Sequence, residues 1–102
     1  MTTTYHDGTN IPTAPPKDPD SSVAYGFNYV DIVPTGAVIT SSTWVLPADL
    51  SEVSKDFDDT STVIVIGGGL VDNVYLVTNR ITTNSTLLPT DDRSMHIRVR
   101  EI

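Results

Sequence analysis

The chain has no cysteine, which excludes disulfides, thiolate zinc sites and a cysteine nucleophile together. Histidine is nearly as scarce: His6 and His96 are the two, and no G-x-S-x-G elbow pairs either one with a nucleophilic serine. Basic side chains are few, six Lys and Arg against thirteen Asp and Glu, for a net charge of −7. Such a balance argues against nucleic acid or an anionic membrane as partner, because neither is attracted to an acidic surface. It also keeps a small domain soluble. No apolar run has the length of a membrane-spanning helix. The opening "MTTTYHDGTN" lacks the basic and apolar regions of a signal peptide, so folding in the cytoplasm is expected. The sequon Asn84-Ser85-Thr86 then has no consequence.

What the chain does contain is proline at one end and alternation everywhere else. At 102 residues and 38% hydrophobic content there is material for one small core and not two. Residues 1–22, with Pro12, Pro15, Pro16 and Pro19, have almost no apolar periodicity. Proline removes donors and favours extended backbone there. Two readings of this segment stand side by side: a leader without structure of its own, or an arm ordered against a neighbouring subunit, with Ile11, Pro12, Pro15 and Pro16 as its contacts.

From residue 23 the period is two, and no window carries a helical repeat. "AYGFNYV" puts Tyr25, Phe27 and Tyr29 on one face. "ITSSTWVLP" is rich in β-branched residues, and "SEVSKDFDD" alternates weakly around Val53, Lys55 and Phe57. "STVIVIG" sets Ile64 and Ile66 against Val63 and Val65, while "NVYLVTNRITT" aligns Tyr75, Val77, Asn79 and Ile81. In "RSMHIRVREI" Met95, Ile97 and Val99 face in, and His96, Arg98 and Arg100 face out. Six or seven short strands separated by turn signals predict an all-β, antiparallel sandwich or barrel over residues 23–102. "LPADLSEVS" begins like a helix, with Pro47, Asp49 and Glu52, but is too short and reads as a loop.

Two stretches invite a site and fail on inspection. "STVIVIGGGLVDN" resembles the opening of a dinucleotide-binding unit, with Gly67 and Gly69 in place. Its sixth fingerprint position is Asp72, whose carboxylate repels a pyrophosphate, and a strand follows where a helix is required. Gly67 to Asp72 is therefore expected at the rim of an antiparallel pair. "DFDDTST" clusters Asp56, Asp58 and Asp59, but Ser61 and Gly67 stand where a calcium loop needs glycine and glutamate. No cofactor, metal or catalytic residue is expected. Arg93, Arg98 and Arg100 beside Asp91, Asp92 and Glu101 read as cross-strand charge pairs.

The pattern "YGFNYVDIVPTGAVITSSTWVLP", "TSTVIVIGGG", "VYLVTNRITTN" and "DDRSMHIRVRE" resembles small virion proteins of tailed bacteriophages, of the fibre–tail adaptor type, with an immunoglobulin-like sandwich. The likeness spans about residues 25–101. It implies a core marked by Trp44, Tyr75, Val77, Ile97 and Val99, with Tyr75 placed like the corner tyrosine of such sandwiches. It departs in "NSTLLPTDD", whose Leu87 and Leu88 mark a possible contact loop. By this resemblance the chain is a non-enzymatic virion component, assembled in the host cytoplasm. It would dock in multiple symmetric copies against capsid, neck, tail or fibre proteins, with no nucleic acid and no membrane as partner. The alternative is a carbohydrate-binding module on the particle, using Tyr5, Tyr25 and Tyr29.

Overall fold

The structure is a computed structural model that describes residues 12–101. Among them are six strands: β1 (Val23–Asn28), β2 (Ile39–Val45), β3 (Leu50–Phe57), β4 (Ser61–Gly68), β5 (Val74–Thr83) and β6 (Thr90–Arg98). They form two antiparallel three-stranded sheets, ordered β1-β4-β3 and β2-β5-β6. The alternation seen in the sequence is the alternation of burial. Tyr75, Val77, Asn79 and Ile81 of β5 are all buried, as are Met95, Ile97 and Val99 at the end of β6. Facing them from the first sheet are Tyr25, Ile64 and Ile66. With period-two burial on one face of each sheet, the only way to remove both apolar faces from water is to press them together.

The strand order is that of the B-E-D and C-F-G sheets of immunoglobulin domains. Within it the buried Trp44 lies on the strand equivalent to C, stacked on Phe27 at 5.9 Å. Tyr75 is the second residue of the strand equivalent to F. Its hydroxyl accepts a hydrogen bond from the Leu70 amide at 2.8 Å and donates to Asp49 at 3.1 Å. One phenol thereby fixes both loops at that end of the sandwich. Tyr75→Phe is expected to lower stability by about 1 kcal/mol, since the Leu70 amide loses its acceptor and Asp49 its donor; urea unfolding checks it.

Two local features differ from the sequence reading. β4 continues through Gly67 and Gly68, which pair with Ser51 and Leu50, so the rim begins two residues later, at Gly69. Gly68 and Gly69 take positive φ, and a Cβ on Gly69 would lie 2.6 Å from the Val99 side chain, so glycine is required by both backbone and packing. The stretch read as a loop after Pro47 is a turn of two residues, Ala48 and Asp49, followed by β3. Its residues from Ser51 onward are exposed, because an edge strand has little to bury, and that is why its alternation is weak.

Residues upstream of β1 are laid on the same sandwich. Ala14 donates to the His96 carbonyl and His96 to the Pro12 carbonyl, while Lys17 and Arg100 exchange similar bonds with Arg98 and Lys17, all at 2.8–2.9 Å. Residues 12–17 thus run parallel to β6 as an extra ribbon along its free edge. Pro15 and Pro16 fit because a ribbon at the sheet margin need not donate at every position.

Candidate functional site

The end of the sandwich where β1 finishes is organised by buried polar groups, unlike the rest of the core. Asn79 is fully buried between the sheets. Its Oδ1 accepts from the Tyr29 hydroxyl at 2.8 Å and from Thr62 Oγ1 at 2.9 Å. Its Nδ2 donates to Ser42 Oγ at 2.9 Å and to the Thr43 carbonyl at 3.1 Å. All four hydrogen-bonding positions of the amide are used, and they join β2, β4 and β5 to the residue just after β1.

Arg93 enters the same region from β6 and is only 3% exposed. Its Nη1 donates to the Asn28 carbonyl at 2.7 Å and its Nη2 to Asp31 at 3.2 Å, with the guanidinium 4.6 Å over the Tyr29 ring. Burial holds the Tyr29 phenol well above the ordinary tyrosine range, an effect the Arg93 charge opposes. Tyr29 therefore stays a neutral donor. The sequence reading placed Arg93 in cross-strand charge pairs; the structure buries its guanidinium, and an exposed, two-pronged contact joins Arg80 and Asp92 across β5 and β6. Arg93 points inward because it is in register with Met95 and Ile97.

Lys17 is the second buried cation. Its ammonium donates to the Gly68 carbonyl at 2.7 Å and the Asp18 carbonyl at 2.9 Å, tying the ribbon to the end of β4. Burial pulls its pKa below the ordinary lysine value, against the pull of Asp18 and Asp20. Among the anticipated contacts, Pro12, Pro15 and Pro16 lie exposed on this ribbon, and Ile11 lies outside the described residues. Leu87 is 83% exposed at the loop tip and Leu88 is half-buried. Trp44, Tyr75, Val77, Ile97 and Val99 are all in the core.

Between the ribbon and β1 runs a groove of about 480 Å³, lined by Pro12, Ala14, Tyr25, Phe27, Asn28 and Met95 among others. Tyr25 is 7% exposed and its buried hydroxyl has no hydrogen-bond partner among the described residues; burial raises its pKa. With Tyr25 and Tyr29 both buried, neither offers a ring for stacking on a sugar, and Tyr5 lies outside the described residues. The Asp58 carboxylate is occupied by its own turn: one oxygen accepts from the Ser61 hydroxyl and the Thr60 and Ser61 amides, which lowers its pKa. Among the described residues no group of three His, Asp or Glu side chains is placed to hold a metal ion.

Two comparisons bear on this. No curated protein matches the chain. The family model described as podophage GP4 fiber-tail adaptor protein gp77 matches residues 17–98, from the buried lysine to the last residue of β6. The chain belongs to that family, and is a structural protein of a phage virion.

Proposed function

We propose that the chain is a non-enzymatic adaptor that holds fibre and tail proteins together on the particle, through an immunoglobulin-like sandwich present in multiple symmetric copies. The observation that carries this reading is the extent of the family match, which takes in every strand of both sheets. The strand order, the Trp44 position and the Tyr75 corner support the immunoglobulin-like description. Partners are other virion proteins; the acidic surface speaks against nucleic acid and membrane. Particles assembled without the chain are expected to keep head and tail and to lose their fibres, counted by electron microscopy. Unchanged fibre number would overturn the adaptor role.

The division into an arm and a sandwich is part of this proposal, with residues 12–17 lying along β6. Residues 12–17 support the sandwich, so arm contacts with a neighbouring subunit belong to residues before Pro12, with the proline ribbon and Ile11 at their base. Deleting residues 2–11 should reduce incorporation into particles while the remaining protein still unfolds cooperatively. Equal incorporation would sink the arm. The Leu87–Leu88 loop, at the end of the sandwich away from Lys17, is proposed as a second contact.

A further inference from the structure

Sheet edges attract other strands, and proteins guard them with charge, proline, bulges or a cover. Four edges exist among the described residues, and three are guarded. β6 is covered by residues 12–17. β3 carries Glu52, Lys55 and Asp56 and breaks register between Glu52 and Ser54. β2 breaks register between Ile39 and Ser41. β1 differs from all of these. Its register with β4 is continuous from Val23 to Asn28, and its sequence Val-Ala-Tyr-Gly-Phe-Asn holds neither charge nor proline.

That open edge borders the groove floored by Tyr25, Phe27 and Met95 and walled by Pro12 and Ala14. We infer that β1 is a strand-acceptor edge, which takes up one extended, uncharged segment of a second virion protein, flanked by Lys or Arg. The inference rests on the adaptor reading and names the chemistry of its partner. Backbone pairing along β1 supplies affinity, and alternate side chains of the segment enter the groove.

Charge decides between a foreign segment and a second copy. The groove lining is uncharged apart from Arg93, which is engaged with Asn28 and Asp31. The protein as a whole carries −7, with two of its six cations, Lys17 and Arg93, buried. Two copies joined along β1 bring like charges together, whereas a neutral strand with basic flanks meets an apolar trough in an acidic surround.

The test uses the full chain in assembled particles, with a benzophenone side chain at position 28. Irradiation should yield one adduct, mapped by mass spectrometry to an uncharged segment with basic flanks in another virion protein. Ala24 is exposed on β1, so Ala24→Lys, which guards the edge, should lower fibre retention about tenfold, while Ala24→Thr leaves it unchanged. Thermal melts of both variants confirm that the sandwich persists. An adduct to a second copy, no adduct at all, or full retention with Ala24→Lys overturns the inference. Particles that keep fibres without the chain overturn the adaptor reading and this inference with it. Fibres that need the chain but ignore β1 overturn this inference alone.

Discussion

Replacing Asn79 by alanine is expected to lower stability by about 3–4 kcal/mol, the larger of two effects centred on the polar seam between the sheets. The alanine removes the acceptor of two buried hydroxyls, Tyr29 and Thr62, and the donor to Ser42 and the Thr43 carbonyl. Each buried group left without a partner costs about 1–3 kcal/mol. A water entering the space would offset part of that sum, since the site is polar and newly roomy. In a domain of this size the loss corresponds to a fall in Tm of roughly 15 °C, read by calorimetry. The penalty comes from stranded partners, so removing them as well should recover much of it. Asn79→Ala combined with Tyr29→Phe and Thr62→Val is expected to melt well above Asn79→Ala alone. Strict additivity of the three changes would overturn the network account.

Arg93→Ala should cost about 3 kcal/mol. The guanidinium makes a charge-assisted bond to the Asn28 carbonyl and lies over the Tyr29 ring, contributions of about 1.5–3 and 1–2 kcal/mol respectively when desolvated. The ion pair with Asp31 adds little, because that carboxylate is about half exposed and water screens it. Asp31→Asn is accordingly expected to change stability by less than about 0.5 kcal/mol. Arg93→Lys should recover less than half the loss, since one ammonium cannot cover the ring and both acceptors together. Chemical denaturation of the three variants checks the ranking, and equal effects at 31 and 93 would place the energy in the ion pair instead.

Both predictions concern residues whose burial was written in the period of their strands. Asn79 falls two residues after Val77, and Arg93 two before Met95. The alternation that sends the apolar residues inward sends these inward too. For Arg93 the nearby aspartates drew the reading toward a cross-strand pair, although the register placed it inside. Lys17 left no such signal. It stands between prolines and aspartates, and its burial depends on Gly68, fifty-one residues away.

The open edge of β1 has the same character. "VAYGFN" is visibly uncharged and free of proline, but whether a strand is central or marginal depends on which strands flank it. β4 reads as apolar on both faces, but its flanking strands cover its edges only: Ile64 and Ile66 are buried and Val63 is exposed. β3 reads as nearly structureless because it borders solvent.

By itself the sequence determined that the protein is all-β, that its core lies on alternate residues of most strands, and that the run Gly67–Gly69 leads from one antiparallel strand into a turn. Those are local facts, set by side-chain period and backbone preference within a few residues. Only the tertiary structure decided the pairing order, the docking of residues 12–17 on β6, the enclosure of Lys17, Asn79 and Arg93, and the exposure of β1. Each of these depends on contacts between residues far apart in the chain, where a single polar group is stable or costly according to the partner that folding brings to it.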